Sequence, residues 1–310
     1  MTVKTPKRLK LEKQGADLLT SDTHHRNRPD PMEHTERKLT AATFVIIDTE
    51  TTGTNPDLDR IIEIGAGQWQ LGADSEIQIM ESLIHPGEGT GIPPAVSAVN
   101  HIIDADLENA PSMETFLPAL LPFCGDLPLV AYNAAFDRNM LHTTELGERP
   151  WICAMRLAMK IWNIGDANRN GFPLTSFRQQ ELRYWLELPR LPGEAHRAGA
   201  DIRVTGQILG KIIESYLNMG GADSLSAFLS WYDSPIEHRN IPMGPFGIAG
   251  KTPEQLEDWQ LRKILETEYE AKVTLDSLNI LSYIRPEYRR RFGGPVKKPY
   301  NKPIEATAQA

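Results

Sequence analysis

From residue 42 to about residue 135, runs of apolar and β-branched residues alternate with turn residues. The stretches "TFVIID", "RIIEIGAGQWQL" and "EIQIMESLIHP" each predict a strand, because Gly, Asn, Asp and Pro stand between them. Helical patterns follow over 94–101 and 112–122, and "LPLVAY" then predicts a strand that leads into a helix from about residue 135. Three strands followed by helix–strand alternation predict an α/β fold, with a mixed sheet flanked by helices.

The pattern beyond "WIC" is mainly helical. Residues 154–163 and 176–187 show helical periodicity, and a long amphipathic helix runs to a stop at Gly220–Gly221. Its apolar residues recur at helical spacing, at Ile208, Leu209, Ile212, Ile213 and Tyr216. Since no internal repeat is present, we predict one layered domain for this region.

The same patterning divides the chain into five parts. Both ends are polar and lack periodicity, so we predict that they are disordered. A small Gly/Pro-rich unit with helices near 253–268 and 276–290 precedes the C-terminal end. The parts are a basic N-terminal extension (1–41), the main domain (42–220), a connector (221–236), a small α-rich C-terminal module (237–292) and a tail (293–310).

Charge is distributed unevenly along the chain. The net charge is −8, and residues 42–284 contain 17 Lys and Arg against 33 Asp and Glu. Such an acidic body repels nucleic acid unless its carboxylates hold metal ions or its basic residues are grouped locally. The positions of the acidic residues therefore decide whether this part of the chain can bind nucleic acid.

The compartment is predicted from cysteine content and hydropathy. The two cysteines, Cys124 and Cys153, form neither a disulfide framework nor a zinc cluster, which is typical of a reducing compartment. The N-terminus lacks the apolar core of a signal peptide, and no stretch approaches the roughly 18 apolar residues of a membrane span. We therefore expect a cytoplasmic protein that does not contact a membrane.

Two carboxylates lie two positions apart where the first predicted strand ends, in "VIIDTETTG". Because successive side chains of a strand point to opposite faces, Asp48 and Glu50 share one face, and their like charges raise each other's pKa. A cation between them would relieve this repulsion. An ordinary turn is the alternative, because Asp, Thr and Gly are common turn residues.

Two later stretches supply further polar groups. "LVAYNAAFDRNML" places Asn133 and Asp137 where a strand passes into a helix, and "AHRAGADIRVTGQIL" places His196 and Asp201 at the start of the long helix. Five helical residues turn through about 500°, so the latter two do not share a helical face. If both act at one site, His196 lies in the loop before the helix and Asp201 near its first turn, whose N–H groups favour an anionic phosphate.

Four carboxylates, Asp48, Glu50, Asp137 and Asp201, would then converge from three separate segments. Hard oxygen ligands of this kind select Mg²⁺ or Mn²⁺. Two such ions about 3.5–4 Å apart stabilise the attacking and leaving oxygens of a phosphodiester displacement. The attacking water also needs a base, and His196 is the candidate, because histidine accepts a proton near neutral pH.

The stretches "DTETTG", "NAAFD" and "HRAGAD" follow one another in this order and resemble the three motifs of the DEDDh branch of the DnaQ-like 3′–5′ exonucleases. The resemblance covers about residues 42–219 and includes Ala198 and Thr205. A single D-x-E pattern is a weak signal, whereas three ordered motifs with the correct internal spacing are specific. The resemblance implies a ribonuclease H-like fold, with the exonuclease domain over residues 42–220.

The resemblance also implies a role for each residue of the motifs. Asp48, Glu50 and Asp201 hold one metal ion, and Asp48 bridges to a second ion, which Asp137 supports through water. His196 is the general base. These five residues form the predicted catalytic set, and the four carboxylates among them form the predicted metal set.

The predicted substrate contacts include one departure from the family. Many members carry a substrate-contacting His in an "H-x-I-T" sequence, whereas this chain has "NHII", with Asn100 at that place and His101 one position later. His101 would still reach substrate, or it is an ordinary surface histidine. The predicted substrate-binding residues are Thr51, Thr52, Gly53, Asn100, His101, Asn133 and Arg197.

The predicted function is hydrolysis of DNA by a metal-dependent 3′–5′ exonuclease of the repair or proofreading type. It would release nucleoside 5′-monophosphates from single-stranded or 3′-end DNA with two Mg²⁺ or Mn²⁺ ions. The alternatives are an exoribonuclease like the ribonuclease T type and a proofreading or DNA-binding adaptor subunit, and no oligomeric state follows from the sequence. The P-loop-like "GPFGIAGKT" does not indicate an NTPase, because Pro245 stands where the Walker pattern requires Gly.

Overall fold

A mixed five-stranded sheet forms the centre of the molecule. The computed structural model describes residues 37–72, 78–190, 196–234, 236, 241, 247–265 and 280–293. The strands are β1 (Thr43–Thr51), β2 (Ile61–Gln70), β3 (Gln78–Leu83), β4 (Leu129–Ala131) and β5 (Trp151–Cys153), in the spatial order β3-β2-β1-β4-β5. The predicted α/β class with a mixed sheet is confirmed, and the short β5 is an addition to it.

Helices surround this sheet within the described ranges. They are α1 (Pro94–Asn100), α2 (Asp104–Leu107), α3 (Met113–Cys124), α4 (Ala134–Met140), α5 (Glu145–Glu148), α6 (Ala154–Ile161), α7 (Gln179–Trp185), α8 (Ala198–Asn218), α9 (Leu225–Asp233), α10 (Asp258–Leu265) and α11 (Ile280–Phe292). Helix α8 ends where predicted, because Gly220 adopts φ 89° and Gly221 N–H donates to the carbonyl of Tyr216 at 2.9 Å. None of the helices described is both long and apolar enough to span a membrane.

The central strand β1 is buried on both faces. Phe44 and Ile46 contact the apolar cluster under α6 and α8, whereas Val45 and Ile47 contact the one under α3 and α4. A strand covered on both faces has a nearly continuous apolar sequence, which is the pattern of "TFVIID". The core therefore holds the C-terminal end of β1 rigidly between two layers of helices.

The direction of the strands decides what meets at that end. β1 pairs antiparallel with β2 and parallel with β4, which β5 continues. Because the carboxyl ends of parallel strands meet at one edge of the sheet, residues that follow β4 lie beside those that end β1. The first and second motifs are brought together in this way.

The chain on either side of the predicted main domain joins the same core. Leu39 lies in a 3-10 turn, Leu39–Ala41, and is fully buried, so the fold begins before the predicted boundary at residue 42. Phe228 of α9 stacks edge-on against Tyr216 of α8, and Ile264 of α10 belongs to the apolar cluster that contains Phe44. The boundaries of the connector and the C-terminal module stay predictions. Most of the predicted extension, nearly all of the tail and Pro245 lie outside the described residues.

Candidate active site

The end of β1 presents Asp48 and Glu50 on one face and Thr49 on the other. The burial along the strand alternates in the same way, because both acids are partly exposed whereas Thr49 and Thr51 are buried. The register of β1 against β2 shifts between Glu50 and Thr51, where the strand leaves the sheet. The predicted placement of two carboxylates side by side at a strand end is therefore what the structure shows.

Asp137 is fixed by the neighbouring residue of β1. Its Oδ1 accepts hydrogen bonds from the Thr49 backbone N–H at 3.0 Å and from the Thr49 hydroxyl at 2.8 Å. The carboxyl group lies in the first turn of α4 and is 4% exposed. A residue 88 positions away in sequence is thus held against the end of β1 by both donors of one threonine.

Asp201 lies in the first turn of α8, as predicted, and His196 lies in the loop before it. The His196 backbone N–H donates to Asp201 Oδ2 at 2.9 Å, and Gln180 Nε2 donates to Oδ1 at 3.0 Å. His196 adopts φ 64°, a left-handed conformation that non-glycine residues rarely adopt. This turn exposes the imidazole ring and orients the carboxylate of Asp201 with two donors.

The three segments converge on one point. Ligand atoms of Glu50, His196 and Asp201 all lie within 4.8 Å of one another, in a group that could hold a metal ion. The charges of Asp137 and Asp201 also act on Asp48, so that all four predicted carboxylates belong to one cluster. We call Asp48, Glu50, Asp137 and Asp201 the acidic cluster.

The carboxylates of the acidic cluster repel one another in a partly dry environment. Burial, with the charges of Asp137 and Asp201, raises the pKa of Asp48 well above its usual range. Burial and the charge of Asp201 raise the pKa of Glu50 to about 8, and burial raises the pKa of Asp137 to about 7. A divalent cation would stabilise the ionised forms, so this donor set fits Mg²⁺ or Mn²⁺.

A fifth acid, Glu63, was not predicted from the sequence. It is the cross-strand partner of Glu50 on β2 and is 3% exposed. Its carboxylate accepts from Arg197 Nη2 at 2.8 Å and Nε at 3.1 Å, and from the Ala198 backbone N–H at 3.1 Å. Glu63 therefore ties β2 to the loop that carries His196. The signal in the sequence is the charged residue inside the apolar run "RIIEIG".

The predicted substrate residues at the first motif hold the turn after β1. The Thr51 hydroxyl donates to the Gly53 carbonyl, and the Thr52 backbone N–H donates to the Arg60 carbonyl at 2.8 Å. Thr51 and Thr52 are buried. A Cβ at Gly53 would lie 2.4 Å from the Asp59 carboxylate, so any larger residue there would displace that side chain from its hydrogen bonds with Thr52 and Asn55. These contacts are structural, and contact with substrate stays a prediction for all three residues.

The other predicted substrate residues differ in their surroundings. Asn100 is 1% exposed, and its side-chain hydrogen bond to Glu50 lowers the pKa of that carboxyl against the effect of burial. His101 ends α1 at φ 60° and is exposed, as is Asn133, which precedes α4. Arg197 is bound to Glu63, with 42% of its side chain exposed. Asn100 thus joins the site through Glu50.

Comparison with known proteins agrees with this arrangement. The model of the RNase_T family, described as "Exonuclease", matches residues 45–209. The DNA polymerase III subunit epsilon of Treponema pallidum is 33% identical over 182 residues, which is 57% of this chain and 80% of that protein. The PolC-type DNA polymerase III of Thermotoga maritima is 35% identical over 185 residues, 58% of this chain, but the chain spans only 12% of its length.

A solved structure with a similar fold is "Exonuclease X in complex with 5′ overhanging duplex DNA". It is 30% identical to this chain, with a TM-score of 0.44. The alignment covers 55% of this chain and 91% of that one. The residues that the family model matches, 45–209, contain the three motifs quoted from the sequence.

Proposed function

Since the chain belongs to the RNase_T exonuclease family, we propose that it is a metal-dependent 3′–5′ exonuclease that hydrolyses DNA to nucleoside 5′-monophosphates. The observation that carries the proposal is the convergence of the acidic cluster and His196 at one end of β1. The pKa values of all four carboxylates are raised, which means that their ionised forms are costly in this fold. Perturbed groups of this kind are typical of catalytic sites.

Asp48, Glu50 and Asp201 would hold one Mg²⁺ or Mn²⁺ ion, and Asp48 with Asp137 would serve a second. When bound, the two ions would supply charge stabilisation for the attacking and leaving oxygens of the phosphodiester. An imidazole lies within reach of Glu50 and Asp201, but magnesium prefers oxygen ligands, which leaves His196 for proton transfer.

The residues of the chain then have separate tasks. The exposed ring of His196 accepts the proton of the attacking water, while its backbone N–H keeps Asp201 in place. At the first turn of α8, the Ala198 backbone N–H donates to Glu63 and the Ala200 N–H donates to the Arg197 carbonyl, so both groups already have partners. Gln180 holds the second oxygen of Asp201, and Asn100 holds Glu50, so that neither carboxylate has to reorganise when substrate binds.

DNA is the proposed substrate. The relative of which this chain spans 80% is a subunit of a DNA polymerase, which supports DNA over RNA and supports a proofreading or repair role. We propose single-stranded or 3′-end DNA as the partner. RNA remains the second candidate, because the same cluster serves either backbone and only contacts with the 2′-OH separate them.

The proposed location is the cytoplasm. Cys124 and Cys153 are both free thiols, and Cys124 is buried. Free thiols are typical of a reducing compartment. Fractionation of cells that express the full chain would test this assignment.

One digestion experiment tests the function. End-labelled single-stranded DNA, duplex DNA and RNA of matched sequence are incubated with the full chain in Mg²⁺, Mn²⁺ or EDTA. We expect stepwise shortening from the 3′ end of DNA, nucleoside 5′-monophosphate products, and no reaction in EDTA. Internal cleavage, 3′-monophosphate products, or equal hydrolysis in EDTA would contradict the proposal. Faster hydrolysis of RNA than of DNA would favour the second candidate.

A further inference from the structure

A surface cavity of about 350 Å³ lies beside the loop between β1 and β2. Buried Ile61 and Ile84 line it together with Met113 and Met140, which gives it an apolar part. Its volume falls in the range of about 300–1,000 Å³ that small-molecule sites occupy. Methionine side chains adapt to irregular shapes and make favourable contacts with aromatic rings. This part of the cavity therefore suits a flat aromatic ligand.

Two walls of the cavity lead to the acidic cluster. Met140 lies three residues after Asp137 on α4, about 4.5 Å along the helix axis. On the other side, Asp59 lines the cavity and accepts a hydrogen bond from the hydroxyl of Thr52, two residues beyond Glu50. A polymer whose end lies in the acidic cluster, and which leaves it on this side, would thus pass close to this cavity.

The two histidines that line the cavity have opposite tautomers. The Gly87 backbone N–H donates to Nδ1 of His85 at 3.1 Å, so this nitrogen carries no proton and Nε2 is a donor. Nδ1 of His142 lies 2.7 Å from the Asn139 carbonyl, which only accepts, so Nδ1 carries the proton and Nε2 of the neutral ring is an acceptor. Within the described part of the chain, neither Nε2 atom makes a hydrogen bond. The two histidines therefore contribute one donor and one acceptor to the lining of the cavity.

The charge at the rim disfavours a phosphate in this cavity. Asp57 and Asp59 both line it, and like charges would repel an anion. The guanidinium of Arg60, which also lines the cavity, donates to the Asp59 carbonyl at 2.8 Å and to the Asp57 carbonyl at 3.4 Å. These bonds hold Nη1 of Arg60 against the loop, and at the rim the two carboxylates outnumber the one guanidinium. The ligand that fits is neutral, aromatic and capable of both donating and accepting.

We propose that this cavity binds an unpaired nucleobase of the DNA strand whose 3′ end lies in the acidic cluster. This proposal rests on the proposed function. Unpaired bases are recognised in proteins by hydrogen bonds to their Watson–Crick edges and by contacts with their faces. Each of the four bases carries a donor and an acceptor on that edge. The cavity therefore takes any base that is unpaired and excludes one that is paired, because pairing occupies the same edge.

A binding experiment on the full chain tests the proposal. The parent carries Asp201→Asn to prevent hydrolysis, and fluorescence anisotropy in Mg²⁺ compares a single-stranded oligonucleotide with one that has abasic sites over its last nucleotides at the 3′ end. We expect the parent to bind the intact strand about tenfold more tightly, the size of one or two hydrogen bonds.

Two variants of the parent remove this preference in different ways. His142→Ala removes the acceptor, and Thr143→Trp fills the cavity; both residues are exposed and line it, so neither change disturbs the core. The intact-to-abasic ratio of affinities should fall close to one in both. Lys211→Ala, about 15 Å along α8 from Asp201, is the control and should retain the ratio of the parent.

The outcomes separate this proposal from the function it rests on. If the chain without Asp201→Asn hydrolyses DNA but the two cavity variants keep the parent's ratio, the cavity does not bind a base. A parent that binds both oligonucleotides equally, or neither, overturns the proposal as well. If hydrolysis is absent and the ratio still depends on His142 and Thr143, base binding stands and the proposed exonuclease activity fails.

Discussion

The pKa values of buried carboxylates shift in opposite directions in the acidic cluster and in the C-terminal helices. Burial and repulsion raise the pKa of Glu50 to about 8, whereas hydrogen bonds from Arg290 and Arg291 hold the pKa of Glu287 at about 2. Glu287 is 5% exposed because these arginine side chains cover it near the surface. Arginine side chains of the protein itself thus stabilise the ionised form of Glu287.

This contrast distinguishes a ligand-binding site from a structural ion pair. Glu287 has a complete set of partners, and Arg291 extends it to the Leu256 carbonyl at 2.6 Å and to Asp258 at 3.0 Å. The acidic cluster accepts hydrogen bonds from neutral donors but leaves its repulsion unrelieved. Burying like charges costs free energy, so the cluster is retained for a ligand that supplies positive charge.

The largest effect is expected from removing a member of the cluster. Asp48→Ala and Asp201→Asn should each lower hydrolysis by more than about 10⁴-fold, the loss typical for one member of a catalytic unit. Asp48→Ala also removes a like charge, so its melting temperature in EDTA should stay the same or rise. Initial rates and thermal unfolding measure both effects.

A matched control for this prediction is Asp126→Asn, an exposed acid in a turn outside the cluster. It should leave the rate unchanged. Hydrolysis near the wild-type rate in Asp48→Ala or Asp201→Asn with Mg²⁺ would contradict the assignment of metal ligands.

Loss of the proposed base should have the next largest effect. His196→Ala should reduce turnover by about 10²–10⁴-fold while binding of Mn²⁺ is largely retained. Because His196 has φ 64°, alanine also strains the backbone, and His196→Asn is the better variant since asparagine tolerates this conformation. The pH–rate profile of the asparagine variant should lack its acidic limb. A loss below tenfold in that variant would mean that another group accepts the proton.

The Glu63–Arg197 pair extends the comparison to the edge of the cluster, because there a buried acid forms an ion pair with a residue of the chain. Glu63→Gln and Arg197→Lys should each lower kcat about tenfold, or about 1.4 kcal/mol, since the loop that carries His196 loses its bidentate support. DNA affinity should not change. Binding isotherms over a range of salt concentrations measure this.

The opposite result is equally informative. If Arg197 contacts phosphate, as predicted from the sequence, Arg197→Lys will weaken binding and shift the salt dependence by about one ion, whereas Glu63→Gln will not. Equal effects of the two changes on kcat would instead support positioning.

The pH dependence of stability should differ between the two groups of acids. The folded protein retains a proton on Glu50 up to about pH 8, whereas the unfolded chain loses it near 4.5. In EDTA the free energy of unfolding should therefore fall as pH rises through this window, by at most about 1.4 kcal/mol per pH unit for one proton. Glu287, with its lowered pKa, contributes stability above about pH 4.5 that is lost as pH falls toward 2.

Denaturation between pH 5 and pH 8 tests this prediction. Glu50→Gln should flatten the decline, and Mg²⁺ should stabilise the wild-type chain more at pH 8 than at pH 5. A stability that rises with pH over this interval in EDTA would show that the acids of the cluster are not protonated there.

The smallest effect is expected at the C-terminal helices. Glu287→Gln should lower the melting temperature slightly, because two arginines lose a charged partner, and should leave kcat unchanged. Thermal unfolding and initial rates of the variant measure both. A fall in kcat like that of Glu63→Gln would show that these helices act on the site.

Local patterns in the sequence were sufficient for much of the fold and of the site. The apolar runs predicted β1, β2 and β3, and the spacing of His196 and Asp201 placed one in a loop and the other in the first turn of α8. β5 was not predicted, since three residues are too few to show a period. The correct predictions share one cause, which is that the residues involved are close together in sequence.

Tertiary structure decided how those residues are supported. Glu63 meets Arg197 across 134 positions, and Thr49 meets Asp137 across 88, so no local period connects them. The pairing of β1 with β2 in one register places Glu63 beside Glu50, and a shift of one residue would have turned it to the other face.

The same division holds for chemistry. The sequence determined which carboxylates and which histidine this chain offers, because motif spacing alone assigns them to strand ends and a helix start. Only the fold determined that they are buried close enough to raise the pKa of Glu50 to about 8, while Glu287 received arginine partners. The physical reason is that a side chain's charge depends on distance and burial, which are set by contacts between segments far apart in the chain.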